Sequence, residues 1–302
     1  MSRIDEAWNR VSSPVAHNLG MAARAQRLEQ SDEAAPHHYP RETGASGHSA
    51  EALDRLPHRT VAAPRTGERR QLGPLHAAFE RKLVVSEQAA PVAVEQYGRL
   101  AATMLELQAE RGLKTLMVTS ALPNEGKTLT VSNLALTLSE SYGRRVLLID
   151  ADLRRPSVHE VFRLPNTRGL SDVLGSERGE IPLLEVSEHL TVLPAGRPDQ
   201  RMAALTSDGM RVLLDQSAAR FEWVLLDAAP VGFMPDAQVL ARLTRAVLFV
   251  IAAHSTQNEL VSRAIGQLDP ECVVGVLLNG VKEHNIPAAR YCREYYPPYP
   301  TE

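Results

Sequence analysis

The chain has 302 residues, 44% of them hydrophobic, and a formal charge of −3, enough for one large domain or two small ones and without a global pull toward nucleic acid or a membrane surface. Cys272 and Cys292 are the only cysteines, and with no CxxC pair or metal-ligand spacing they argue for a reducing compartment and against a zinc site. The opening MSRIDEAWNRV lacks a signal-peptide core, and the longest apolar run, Ala246 to Ala253, is too short to span a bilayer. The expected location is the cytoplasm.

Residues 1–83 read as a largely disordered arm: prolines at 36, 40, 57, 64 and 74 break any periodicity, and acidic and basic residues nearly balance. Its exception is the start, where Ile4, Ala7, Trp8 and Val11 fall on one face of a short amphipathic helix. So short a helix is marginal alone and would form against a partner or the chain's own core. A folded domain is expected over 84–285. It opens with a helix, Val92 to Gln108, carrying Val94, Tyr97, Leu100, Ala101, Met104 and Leu107.

The stretch Lys114 to Tyr142 then reads as a buried strand, a tight loop and a helix opening on Gly126-Lys127-Thr128. Leu116, Met117 and Val118 make an apolar strand, and Val131, Leu134, Ala135 and Leu138 recur at helical spacing. This is the grammar of a phosphate-binding loop, whose free N–H groups and helix dipole favour an anion. Lys127 adds a charge for the outer phosphates, and the Thr128 hydroxyl can ligate Mg²⁺. Ala121 stands where the first glycine of GxxxxGK[ST] belongs.

Further strands are expected at Arg145–Asp150, His189–Pro194, Phe221–Asp227, Arg245–Ala252 and Cys272–Asn279, with helices at Gly209–Ala219, Asp236–Thr244 and Gln257–Leu268. Alternation of this kind predicts an α/β fold, a mostly parallel sheet with helices on both faces and ligands at the carboxyl ends of the strands. Asp150 and Asp152 in LLIDADLRRP, and Asp227 in WVLLDAAP, stand at such ends. A strand-ending aspartate often caps the next helix or turn, a reading that would serve for any single one of them. Three beside GKT suit a hard cation that takes oxygen ligands and bridges phosphates. Arg154 and Arg155 follow, placed either to steady phosphate charge or to face solvent.

The last twelve residues, YCREYYPPYPTE, hold Tyr291, Tyr295, Tyr296 and Tyr299, four of the seven tyrosines. Their proline-rich setting predicts a flexible tail over 286–302, with the phenols either phosphoryl acceptors or a docking patch.

Taken in order, SALPNEGKT, LLIDADLRRPSVHEVF, GLSDVL, VLPAG, FEWVLLDAAP, PDAQVLA and GVLLNGV resemble the bacterial tyrosine kinases of capsule and exopolysaccharide systems over residues 85–302. The resemblance implies a P-loop ATPase core related to the Min/Par ATPases, with ATP and Mg²⁺ as cofactors and a Walker A loop that often lacks its first glycine. Leu122, where those partitioning ATPases carry a second lysine, argues against their dimer switch. The implied nucleotide contacts are Asn124, Glu125, Gly126, Lys127, Thr128 and Leu129, with Asn279 at the adenine. Thr128, Asp150 and Asp227 are the implied Mg²⁺ ligands, with Lys127, Asp150, Asp152 and Asp227 catalytic.

The expected activity is autophosphorylation of Tyr291, Tyr295, Tyr296 and Tyr299, regulating polysaccharide polymerisation and export. Asp152 would orient the phenol and take its proton. The expected partners are a membrane polysaccharide co-polymerase as activator, recruiting the kinase to the inner face of the membrane, and further copies of the chain. Two departures stand out: Asp227-Ala228-Ala229-Pro230 lacks the first proline of the family's DxPP, and Gly98 and Ala101 occupy arginine places after Glu95 in the oligomerisation helix. They leave a second reading open, a catalytically weak, nucleotide-switched adaptor for the same membrane partner.

Overall fold

The structure, a computed structural model, describes residues 75–175, 181–197, 205, 208–232 and 235–282. The expected helix at Ile4, Ala7, Trp8 and Val11 and the tyrosine-rich tail lie outside them.

Seven strands form one sheet: β1 (Thr115–Ser120), β2 (Val146–Asp150), β3 (Leu184–Glu185), β4 (Leu190–Leu193), β5 (Trp223–Asp227), β6 (Val247–Ala252) and β7 (Val273–Asn279). Their spatial order is β3-β4-β2-β5-β1-β6-β7, and every pairing is parallel except β3 with β4. The expected parallel α/β sheet is therefore present. β2 and β5 are buried at all of their positions, as central strands covered on both faces must be. Alternate side chains serve opposite layers: Leu116, Val118, Val146, Leu148, Trp223 and Leu225 share one core cluster, while Met117, Leu147 and Ile149, equally buried, point the other way. Each of the strands expected after the phosphate loop starts one or two residues late, within the ordinary spread of element boundaries. The two-residue β3 has no periodicity to read in sequence; it pairs antiparallel with β4 at the end of the sheet.

The helices are α1 (Ala77–Glu80), α2 (Pro91–Arg111), α3 (Lys127–Leu136), α4 (Val158–Val161), α5 (Leu170–Gly175), α6 (Asp208–Arg220), α7 (Pro235–Thr244) and α8 (Asn258–Ile265). α2 begins on a proline and ends at Gly112, whose φ of 66° suits a left-handed cap. α3 runs on into a π-helical turn, Thr137–Ser141. Ala101 and Met104 of α2 enter the core, and Arg99 pairs with Glu95 at 2.9 Å. The position of Ala101 thus faces the core.

The fold starts ahead of the expected boundary at residue 84. Leu83 is fully buried, and the His76 N–H donates to the Val161 carbonyl at 3.2 Å. Asn133, a buried polar residue of α3, is the latch for this segment. Its Oδ1 accepts the Val84 N–H at 2.9 Å, and its Nδ2 donates to the Lys82 carbonyl at 2.9 Å. One side chain thereby satisfies a donor and an acceptor of a strap that no helix or strand would satisfy. Replacing Asn133 by Ala should cost roughly 2–4 kcal/mol, because both backbone groups lose their partners. Urea denaturation reads the loss and hydrogen exchange should show the Val84 amide deprotected; an unchanged midpoint would mean that water replaces the latch.

Candidate nucleotide-binding site

The site is built where β1, β5 and β2 end side by side. β5 lies between the other two, with Asp227 opposite Val118 on β1 and opposite Asp150 on β2. Parallel strands expose their carboxyl ends together, so residues distant in sequence arrive at one edge. The loop from β1 to α3 supplies the remaining wall.

That loop turns through two left-handed residues, Asn124 at φ 64° and Gly126 at φ 91°. A Cβ on Gly126 would come within 1.9 Å of Asn279 Nδ2, so only glycine fits. Ala121 is not among the positive-φ residues, and the first glycine of the usual motif is not required by this backbone. Asn279, at the end of β7, donates from Nδ2 to the Glu125 carbonyl at 2.9 Å. It therefore clamps the loop from behind and keeps its Oδ1 for another donor.

Glu125 is turned inward and almost completely buried. Its carboxylate accepts the Leu122 N–H at 2.6 Å, the Thr256 hydroxyl at 2.5 Å and the Ala252 N–H at 3.3 Å. What it can offer a nucleotide is its backbone N–H; its side chain ties the loop to the end of β6. Nothing in the sequence marked Thr256 or Ala252 for this role, since the contact spans 131 residues.

Lys127 opens α3 and is 7% exposed. Thr128 donates its hydroxyl proton to Asp227 Oδ2 at 2.5 Å and lies 2.9 Å from the Ser157 hydroxyl. Asp150 Oδ2 accepts the N–H groups of Ser157 and Val158, each at 3.0 Å, and its Oδ1 accepts the Asp152 N–H at 3.3 Å. Asp152 in turn takes the Arg155 N–H at 3.1 Å. A cleft of about 470 Å³ opens beside them, lined by Asn124, Lys127, Thr128, Leu129, Asp152 and Ser157 among others. Asp150 and Asp227 do not line it and are reached through Ser157 and Thr128.

Removal from water pushes the Asp150 carboxyl well above the ordinary carboxylate range, and the neighbouring Asp227 adds to the rise. The same loss of water lifts Asp227 to about 6, against the pull of Lys127 and the Thr128 hydroxyl. Asp227 Oδ1 is buried without any hydrogen-bond partner. An oxygen-only set with an orphaned carboxylate oxygen fits a hard divalent cation. Among the described residues no three His, Cys, Asp or Glu side chains form a metal cage.

The Ala229 departure leaves the strand end intact. The Thr119 hydroxyl donates to the Ala229 carbonyl at 2.8 Å, and the Ala228 N–H donates to the Val118 carbonyl at 3.1 Å. Lys127, Thr128 and Asp152 thus meet on the cleft with Asp150 and Asp227 behind them, Glu125 and Asn279 shape the loop, and Tyr291, Tyr295, Tyr296 and Tyr299 lie outside the described residues. Ser157 escaped the sequence reading because a serine ahead of a short helix signals only a cap.

No protein-family model matches the chain. It is 33% identical over 210 residues to the tyrosine-protein kinase YwqD of Bacillus subtilis, covering 68% of this chain and 88% of that protein. It is 33% identical over 175 residues to the succinoglycan biosynthesis transport protein ExoP of Rhizobium meliloti, of which it spans 22%. The kinase domain of the Escherichia coli tyrosine kinase ETK superposes with a TM-score of 0.62 at 26% identity, covering 79% of this chain and 95% of that domain. The fold and the phosphate loop with its strand-end carboxylates define a P-loop protein, and the chain belongs to the bacterial tyrosine-protein kinases.

The buried carboxylates carry a pH signature. Asp227 rises from its ordinary 3.8 to about 6 on folding, so between those values the folded chain holds a proton that the unfolded chain releases. Stability conferred by that proton is lost as pH rises through 6, and the rise corresponds to about 3 kcal/mol. Asp227→Asn should therefore stabilise the protein relative to wild type at pH 8 but not at pH 4, while losing the thermal shift given by Mg²⁺ and ADP. Parallel denaturation curves for the two proteins at both pH values would refute the assignment.

Proposed function

We propose that the chain is an ATP-dependent protein-tyrosine autokinase that phosphorylates its own C-terminal tyrosines, with Mg²⁺ as cofactor. The observation that carries this reading is the Thr128 hydroxyl bonded to Asp227 at 2.5 Å beside Lys127 and Asp152. It joins the phosphate loop to the strand-end acids in one cleft.

In this reading the N–H groups at the start of α3 and the Lys127 ammonium bind the β- and γ-phosphates, in a loop already shaped by Glu125, Gly126 and Asn279. Leu129 and Asn124 border the same cleft. Thr128, Asp227 and Asp150 would hold Mg²⁺, Asp150 through a water. The cation, when bound, neutralises charge on the phosphates and offsets the repulsion between the buried carboxylates. Asp152 orients the tyrosine hydroxyl and accepts its proton. The bond from the γ-phosphorus to the bridging oxygen of ATP breaks as the bond to the phenolic oxygen forms, so the products are ADP and phosphotyrosine. Asn279 offers its amide oxygen to the adenine.

Each added phosphate brings about −1.5 to −2 charges, and phosphorylated tails of neighbouring copies would repel one another. This supports regulation of exopolysaccharide or capsule polymerisation and export through self-association, in the cytoplasm, with a membrane polysaccharide co-polymerase as activator. Among the described residues no helix is long and apolar enough to cross a membrane.

Intact-mass and peptide mass spectrometry after incubation with Mg²⁺ and ATP tests the reading. Phosphate is expected on Tyr291, Tyr295, Tyr296 or Tyr299 and should be absent when all four are changed to Phe. Lys127→Ala should slow its appearance by about 10²–10³-fold or more. A tail that stays unmodified, even with the cytoplasmic segment of the co-polymerase present, would favour the adaptor instead.

A further inference from the structure

Ser157 precedes α4 at the position where a serine side chain ordinarily caps a helix, yet it makes no side-chain cap bond. Its own N–H and that of Val158 are both taken by Asp150 Oδ2 at 3.0 Å, and the Glu160 N–H, which a cap side chain would serve, goes to the Ser157 carbonyl at 3.2 Å. Its hydroxyl points instead to Thr128 Oγ1, 2.9 Å away, and it lines the same cleft. Ser157 therefore touches both acids of the site, Asp150 through its backbone and Asp227 through Thr128.

The proton count decides the direction of the Thr128 contact. Thr128 has one hydroxyl hydrogen, and Asp227 Oδ2 takes it at 2.5 Å. The hydrogen in the second contact must come from Ser157, which donates to one of the two lone pairs of Thr128 Oγ1. One lone pair remains, and its direction is set by the other two bonds. We propose that Ser157 is a positioning residue of the cation site: its donated hydrogen bond fixes the free lone pair of Thr128 toward the cleft, so that it binds a divalent cation brought in with a nucleotide. The inference rests on the nucleotide reading above and assigns to Ser157 a selective effect on the metal-bound form of the ligand.

The experiment is calorimetric titration of the full chain with ADP, once with Mg²⁺ and once with EDTA, for wild type, Ser157→Ala, Ser157→Thr and Thr128→Val. In wild type, Mg²⁺ should tighten ADP binding. Ser157→Ala should reduce that gain by about three- to tenfold, the scale of one hydrogen bond, with metal-free affinity within twofold of wild type. Ser157→Thr, which keeps the hydroxyl, should restore most of the gain. In the Thr128→Val background Ser157→Ala should have no further effect, because the residues act through one contact.

Equal weakening of metal-free and Mg²⁺-bound ADP by Ser157→Ala would overturn the proposal in favour of a structural role for the loop. An unaltered Mg²⁺ gain, or additive losses with Thr128→Val, would overturn it as well. If wild type binds ADP under neither condition, the nucleotide reading itself fails and this inference with it.

Discussion

Two carboxylates on neighbouring strands, Asp150 and Asp227, are held out of water at paired positions of β2 and β5. Burying one unpaired charge is costly, and burying two of like sign in one place is worse. The folded chain tolerates them through protons, through Lys127 and through the donors gathered on Asp150, while one oxygen of Asp227 has no donor at all. The architecture around them reads as a response to that unresolved charge. Under the proposed reading, a divalent cation held beside Thr128 would offset that charge.

The loop that faces this charge is held in place by groups that do not line the cleft. The Glu125 carboxylate gathers donors from its own loop, from the end of β6 and from the turn after it. Asn279 closes on Gly126 from β7. Because these bonds exist before any ligand arrives, the N–H groups at the start of α3 are ordered in advance, and binding does not have to supply that ordering. The hydrogen bond from the Thr119 hydroxyl to the Ala229 carbonyl does the same for the strand end, and it does not depend on a proline at position 229.

Much of this was legible in the residues. Short apolar runs located the long strands, and alternation with helical stretches implied a parallel sheet whose ligand edge is its carboxyl end. GKT and three strand-ending aspartates then named the site, since local sequence dictates where a strand stops. What stayed hidden depends on contacts across the chain. Asn133 carried no signal in the sequence and is a latch for residues 82–84. Glu125 looked like a loop contact and is a buried brace. Ser157 looked like a cap and reaches Thr128 instead. A polar residue's partner is chosen by tertiary geometry, which periodicity does not encode.

The place of β5 between β1 and β2 bears on how the chain comes off the ribosome. β1 and β2 are made early, but neither neighbours the other, and the strand that separates them begins only at Trp223. Until it emerges, the phosphate loop rests on a strand that still lacks β5 along one side, and Asp150 has no Asp227 beside it. Pairings so distant in sequence form late and slowly, leaving apolar strand edges exposed in the interval. The strand at the centre of the sheet is therefore made after both of its neighbours, and the braces of the phosphate loop from β6 and β7 come later still.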